Sequence, residues 1–328
     1  MVAMMRLTAK DIISRHDKAL TRKENFRDLY EEAYEFALPQ RNLYDGYYDG
    51  GVSGQKKMNR VFDSTAINST QRFANRMQSG IFPPQRKWCR LEPGSDIPVD
   101  RKQEAQAALD VYSDRMFDAL KQSNFDVAIG EFLLDLSVGT AVMMVQPGDD
   151  VNAINFIPVP QYLVAFEEGA DGQVDNVYRR MRIKGEVLKR QWPDIKIPEE
   201  LQKQIDNKPT DEVELIEATV QDQKRGDYCY HVVHKGTKEE LVYRRMDTSP
   251  WIVSRYSKVA GEIYGRGPLI TALPDIKTLN KTLELLLKNA SLSISGVYTA
   301  ADDGVLNPNT VKIMPGAIIP VARNGGPQ

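Results

Sequence analysis

Apolar side chains recur at steps of three and four along residues 268–295, which is the pattern of a helix with one apolar face. At about 1.5 Å per residue, such a helix is about 40 Å long. Three consecutive leucines at 285–287 widen this face until most of the circumference is apolar, so the helix needs neighbours on more than one side. Pro274 lies inside the pattern and predicts either a kink or a helix that restarts at this residue.

The N-terminal part of the chain carries the same helical period in four further segments. Thr8 with Asp11 resembles a capping box at the start of the first segment. Asp63 or Ser64 can cap the second, and Gly80 is its expected end. The predicted helices cover residues 8–37, about 65–80, 99–123 and 125–138.

After Gly139 the pattern changes to short segments bounded by Gly, Pro and Asp, which is typical of β-strands. The first predicted strands cover residues 141–145, 152–159, 162–168 and 174–183. Two short helices at 185–192 and 199–207 come next, and an antiparallel meander is predicted from 213–221, 228–235, 239–247 and 251–258. This order of elements predicts an α+β fold.

The tail at 297–321 alternates short β-like segments with turn signals. Asp303-Gly304, Asn307-Pro308 and Pro315-Gly316 are the three turn dipeptides. We expect two or three short strands here, at the far end of the long helix.

The size, cysteine content and charge of the chain limit the classes of protein to which it can belong. The 328 residues suggest two or more structural units, with 41% hydrophobic and 27% charged residues. Cys89 and Cys229 lie far apart with no CxxC, so reduced thiols in a cytosolic compartment are expected. The sequence has no signal peptide and no run of 18 apolar residues, which predicts no membrane partner. A net charge of −2 does not favour a protein that grips nucleic acid as its main task.

The sequence contains only weak matches to nucleotide-binding, metal-binding and catalytic motifs. GEIYGRGP fits neither GxxxxGK[ST] nor GxGxxG, so a structural turn is favoured over a phosphate loop. His231 and His234 lie three apart in a predicted strand, which points their rings to opposite faces and favours ordinary strand residues over a metal site. No Ser–His–Asp or Cys–His constellation stands out. The sequence therefore predicts no catalytic residues, no cofactor and no metal.

Three blocks of sequence together are similar to the head-to-tail connector (portal) proteins of short-tailed bacteriophages. The first is LYEEAYEFALPQRN at 29–42, and the second is VFDSTAINSTQRFANRMQSGIFPP at 61–84, followed by Trp88 and Arg90. The third runs through GRGP, ALPDIKTLN and KNA to GVYTAADDGVLNPNTVKIMPGAIIPV. The blocks occur in the family's order and span nearly the whole chain.

The resemblance implies a portal architecture. Residues 1–260 would form a wing domain, with a helical part at about 1–138 and a β-rich part at about 139–260. Residues 261–296 would form the first stem helix, and residues 297–328 the start of the clip. Family members continue past this point, so we expect the chain to be a C-terminally truncated fragment.

The resemblance also implies the function. The chain would be a portal subunit, not an enzyme, in a ring at one capsid vertex, for which twelve copies are expected. The ring would pass double-stranded DNA without sequence specificity during packaging and ejection. Its partners would be terminase, capsid or scaffold proteins and tail adaptor proteins. It would be assembled in the host bacterial cytoplasm and located in the virion.

A ring would place the apolar face of the long helix against adjacent subunits. The expected oligomer or tunnel residues are Leu283, Leu286, Leu287, Lys277, Lys281 and Lys288. Tyr44, Tyr47 and Tyr48 lie in a Gly-rich loop, where an interface with another protein and an ordinary loop are both open.

Two Tyr-Arg-Arg triplets, at 178–180 and 243–245, end predicted strands. Plain surface charge is the favoured interpretation, and contact with a neighbouring subunit or with DNA phosphates is the alternative. For the whole chain, an enzyme of nucleic-acid metabolism and a non-catalytic scaffold or adaptor stay open as other functions.

Overall fold

The computed structural model of the chain describes residues 7–42, 58–84, 86–149, 151–223, 225–296, 298–301 and 317–321. The α-helices are α1 (Ala9–Glu24), α2 (Arg27–Ala37), α3 (Thr65–Ile81), α4 (Lys102–Gln122), α5 (Phe125–Val138), α6 (Leu188–Gln191), α7 (Glu199–Asn207) and α8 (Pro268–Ser295). Short 3₁₀ turns lie at Pro39–Arg41, Val99–Arg101, Gln161–Leu163 and Gly185–Val187.

The strands are β1 (Thr140–Pro147), β2 (Ile154–Val159), β3 (Val164–Glu168), β4 (Val174–Lys184), β5 (Glu212–Gln221), β6 (Tyr228–His234), β7 (Glu239–Met246), β8 (Trp251–Arg255), β9 (Tyr298–Ala301) and β10 (Ile318–Val321). Helices dominate the first part of the chain and antiparallel strands the second, so the predicted α+β class is confirmed.

The predicted first helix is broken in two. The capping box at its start is present, because Thr8 and Asp11 each accept a hydrogen bond from the other's backbone N–H. The chain turns at residues 25–26, between α1 and α2. There the ring of Phe26 packs against Tyr264, with 5.3 Å between ring centroids. A contact across 238 residues of sequence thus accompanies the break, which helical periodicity does not show.

Strands β3 to β7 form one five-stranded antiparallel sheet in the order of the chain. The prediction that residues 251–258 continue this meander is wrong. Strand β8 instead pairs with β1, with Thr140 opposite Arg255, in a three-stranded sheet of order β2-β1-β8. The Trp251 side chain still reaches the larger sheet, since its Nε1–H donates to Oγ1 of Thr219 at 3.0 Å. Strand β8 therefore connects the two sheets.

The main core lies where these sheets meet α2 and the start of α8. Its buried side chains include Tyr30, Tyr34, Val142, Phe166, Leu215, Trp251, Tyr264 and Leu269. A second cluster, which includes Ile129, Phe132, Met143 and Phe156, packs α5 against β1 and β2. Helix α5 and strand β1 thus pack together, and α8 begins beside them.

Strands β9 and β10 pair in parallel, with Tyr298 opposite Ile318. A parallel pair needs a long connection, so these strands are not a hairpin. The described residues of the tail thus contain two short strands, within the number that the sequence predicts. The three predicted turns, at 303–304, 307–308 and 315–316, lie outside the described residues.

Candidate subunit interface

The turn before α8 lies with its backbone directly against the junction of α5 and β1. The N–H of Gly267 donates to the carbonyl oxygen of Val138 at 2.8 Å, and the N–H of Gly265 donates to Oγ1 of Thr140 at 2.8 Å. A Cβ atom on Gly267 would lie only 2.1 Å from the carbonyl oxygen of Ser137. These glycines let two backbone segments approach closely, as a structural turn requires.

The first half of α8 is anchored in the core. Leu269, Ile270 and Leu273 are buried there. The helix continues through Pro274 as one element, so it does not restart there, and the predicted long helix is confirmed. The hydroxyl of Thr278 donates to the carbonyl oxygen of Pro274 at 2.9 Å.

Asn280 is the last buried residue of α8. Its Nδ2 donates to the carbonyl oxygen of Arg60 at 2.9 Å. Its Oδ1 accepts from the backbone N–H groups of Phe62 at 2.7 Å and Asp63 at 3.2 Å. Asn280 therefore ties the middle of α8 to the segment that leads into α3.

Beyond Asn280 most of the large apolar side chains of α8 are exposed to solvent. Leu285, Leu286 and Leu287 are 55%, 58% and 52% exposed, and Ile294 is 87% exposed. Leu283 is half-buried. Several large apolar side chains exposed on one helix indicate an interaction site. This exposure agrees with the sequence-based expectation, and the contact with neighbouring subunits stays a prediction.

The three lysines predicted for the same surface all form ion pairs within the chain. Lys277 contacts Glu32 of α2 at 2.8 Å, while Lys281 and Lys288 both contact Glu284. Hydrogen bonds from Lys288 and then Lys281 lower the pKa of Glu284. Exposed ion pairs are weak, so a partner could exchange these contacts at little cost.

An apolar groove of about 380 Å³ runs between α3 and the first half of α8. Its apolar lining consists of Ala66, Phe73, Pro268, Leu269, Ala272, Ile276 and Leu279. Asp63 and Asp275 also line it. Sequence reasoning missed this groove, because its two walls lie about two hundred residues apart in the chain.

The tyrosine loop and the two Tyr-Arg-Arg triplets give less support for an interface. Tyr44, Tyr47 and Tyr48 lie outside the described residues, so the interface loop is not tested. The arginines of the two triplets are engaged within the chain. Arg179 pairs with Glu217, Arg244 with Asp194, Arg245 with Asp222 and Asp227, and Arg180 lies over the ring of Tyr162. These contacts favour the interpretation of the triplets as ordinary structural charge.

Both strand histidines have partners on their own sheet edge. Nδ1 of His231 lies 2.6 Å from a carboxylate oxygen of Glu240, and Nδ1 of His234 lies 2.9 Å from the hydroxyl of Thr237. In the part of the chain that the structure describes, no three His, Cys, Asp or Glu side chains are grouped as a metal would require. None of the described helices has the length and apolar content to cross a membrane.

One buried lysine, Lys23, has a shifted pKa and lies far from α8 in the sequence. Lys23 of α1 is buried, and its Nζ donates to the backbone carbonyls of Gln161, Tyr162 and Val164. Burial lowers the pKa of this amine to about 7. Lys23 thus joins α1 to the start of β3, which is a structural role that the sequence pattern did not indicate.

Comparison with known proteins identifies the family to which the chain belongs. The family model described as "Bacteriophage head to tail connecting protein" matches residues 9–328. The chain belongs to this family, whose members are in general structural rather than catalytic. A protein of Bordetella phage BPP-1, named "Probable portal protein", is 24% identical over 285 residues, which are 82% of this chain and 50% of that protein. The chain spans about half the length of this curated relative.

Proposed function

We propose that the chain is a subunit of a portal ring at one vertex of a phage capsid. Family membership gives the class of protein. The observation that supports assembly into a ring is the exposure of the second half of α8. Its leucines at 285–287 face solvent on a helix whose first half is fixed in the core. Burial of this surface between copies would stabilise the ring by the hydrophobic effect.

Within this proposal the chain divides as the sequence resemblance implies. Residues 1–260 form the wing, 261–296 the stem helix and 297–328 the start of the clip. Copies are joined in a closed ring, for which twelve is the expected number. Double-stranded DNA passes through the ring without sequence-specific contacts.

The proposed partners are those of a connector between head and tail. Terminase docks during packaging, capsid or scaffold proteins hold the ring in the shell, and tail adaptors bind once packaging is complete. The ring assembles in the host cytoplasm and remains in the virion. The proposal assigns no catalytic step to the chain.

Electron microscopy of the purified 328-residue chain, over a series of concentrations, tests the proposal. Rings with a central channel are the expected result, and mass photometry of the same samples gives the number of copies. A chain that stays monomeric at every concentration contradicts the proposed ring.

A further inference from the structure

A run of residues without any acidic side chain extends from Ser64 to Leu91. The same run contains four arginines and one lysine. The whole chain has slightly more acidic than basic residues, 45 against 43, so this run differs from the rest of the chain in its charge. Helix α3 occupies most of the run. Positive charge without nearby negative charge in the sequence is therefore concentrated on α3 and just after it.

One side of α3 is exposed and has only uncharged polar and cationic side chains. This surface, the α3 polar face, consists of Asn68, Arg72, Asn75, Arg76 and Ser79. These positions are i, i+4, i+7, i+8 and i+11, which lie on one side of a helix. The buried residues of the helix, Ala66, Thr70 and Ala74, lie on the opposite side. The α3 polar face therefore points away from the core and into solvent.

The two arginines of this face lie one helical turn apart and have no counter-charge. Neither Arg72 nor Arg76 forms an ion pair with a residue that the structure describes. Like charges four residues apart repel each other and slightly destabilise a helix. The basic residues just after α3 differ in this respect, because Lys87 pairs with Asp114 and Arg90 with Asp110. An anion that contacted both guanidinium groups on α3 would remove the repulsion between them.

The side chains of the α3 polar face are of the types that contact nucleic-acid phosphates. Arginine, asparagine and serine donate hydrogen bonds to phosphate oxygens, and such contacts do not depend on the base sequence. The Nε2 of Gln71 donates to Oδ1 of Asn75 at 3.2 Å, so the amide N–H groups of Asn75 point elsewhere and can donate to another acceptor. The face itself has no carboxylate that would repel a phosphate.

We propose that the α3 polar face contacts the phosphate backbone of double-stranded DNA. This inference rests on the proposed function, in which DNA passes the ring without sequence-specific contacts, and it gives that DNA a contact surface outside α8. Arg72 and Arg76 neutralise phosphates, and the neighbouring amides and hydroxyl add hydrogen bonds. Two cations in each copy hold DNA only weakly, which agrees with a chain whose net charge is −2. A ring repeats the surface in every subunit.

DNA binding by charge-altered variants tests this assignment. Fluorescence anisotropy with two short labelled duplexes of different sequence measures the affinity over a series of salt concentrations. The test variant combines Arg72→Gln with Arg76→Gln. A matched control combines Arg115→Gln with Lys121→Gln, which removes the same charge from exposed positions on α4. A third variant, Arg72→Lys with Arg76→Lys, keeps the charge of the α3 polar face.

The glutamine variant of α3 should bind both duplexes about tenfold more weakly, or less, at about 0.1 M salt. The slope of log K against log salt concentration should become shallower by about 2, because about 0.9 is lost with each phosphate contact. The α4 control and the lysine variant should bind as the unsubstituted chain does. Circular dichroism of each variant shows that the fold is retained.

Equal affinities and slopes in the α3 glutamine variant and the α4 control would overturn the inference, and so would a lack of DNA binding by the unsubstituted chain. Labelled polyglutamate is a second probe. If only its binding were lost in the α3 variant, the face would be assigned to an acidic protein and the DNA contact would be wrong. Electron microscopy of the same samples separates the two proposals. Rings with unaltered DNA binding overturn this inference alone, whereas a chain that forms no rings contradicts the proposed function.

Discussion

Arg41 donates two hydrogen bonds to the carboxylate of Asp135, from Nε at 3.0 Å and from Nη2 at 2.8 Å. The hydroxyl of Tyr34 donates a third to the same carboxylate at 3.1 Å. Asp135 is buried in α5, two residues before Ser137, which lines the groove. The pair therefore holds the 3₁₀ turn that follows α2 to helix α5, and α8 begins beside the end of α5.

Removal of this guanidinium should be costly. Arg41→Ala leaves the Asp135 carboxylate buried without a counter-charge, and we expect the free energy of unfolding to fall by about 3–5 kcal/mol. Urea unfolding followed by circular dichroism measures the loss. Arg60→Ala is the matched control, because the Arg60 side chain is largely exposed and its pair with Glu35 should contribute about 1 kcal/mol or less. Equal losses in the two variants would contradict the role given to Asp135.

A second prediction concerns the turn before α8. Gly267→Ala places a methyl group against the carbonyl of Ser137, and we expect a loss of about 1–3 kcal/mol or more in the free energy of unfolding. Gly80→Ala is the control, since a Cβ atom there meets nothing within 4 Å near the end of α3. That change should stabilise the chain by about 0.5–1 kcal/mol, because alanine favours the helix. Thermal unfolding of both variants decides the point, and a neutral Gly267→Ala would refute the close approach.

Lys23 makes stability depend on pH. Its pKa is about 7 in the folded chain, and about 10.4 is usual for lysine in an unfolded chain. Between these values the unfolded chain binds more protons than the folded one. The free energy of unfolding should therefore rise with pH, by up to about 1.4 kcal/mol per unit from this residue.

The measurement compares the unsubstituted chain with Lys23→Met by urea unfolding at several pH values across this window. Other titrating groups cancel in the difference between the two proteins. The difference should increase from neutral to alkaline pH in favour of the lysine. A flat difference would mean that the three carbonyl acceptors keep the amine charged.

The exposed leucines at 285–287 give a prediction about assembly. Leu286→Glu should abolish rings, because a carboxylate would be buried between copies. Stability of the single chain should change by no more than about 0.5 kcal/mol, since the side chain faces solvent. Sedimentation velocity measures the first effect and urea unfolding the second. Val127→Glu is a control with similar exposure, and rings that survive Leu286→Glu would exclude this leucine from the interface.

The sequence predicted most of the helices well, because an amphipathic period is clear in α1, α2 and α3 and helical spacing extends over many turns in α8. It could not predict the break at Phe26, which accompanies a contact with Tyr264 far along the chain. It also assigned β8 to the wrong sheet. Alternation of apolar and polar residues shows which faces of a strand are buried, but it does not show which strand is the partner.

The candidate interface was predicted only in part. The run of leucines at 285–287 was visible as an excess of apolar surface. The groove was not, since it depends on the approach of α3 to α8. One signal was available at Asn280, a lone amide between Ile276 and Leu283 in the apolar stripe. Such a residue needs hydrogen-bond partners when it is buried, and these proved to be the backbone of residues 60–63.

The position of Asn280 also gives α8 the mechanics of a lever. Asn280 is the last residue of α8 that is buried and hydrogen-bonded to the rest of the chain. Residues 281–295 extend about 22 Å beyond it. A rotation of the helix by about 5° about Asn280 would displace its C-terminal end by about 2 Å. A small shift of the segment that Asn280 holds, at residues 60–63, would therefore be amplified at the far end of the helix.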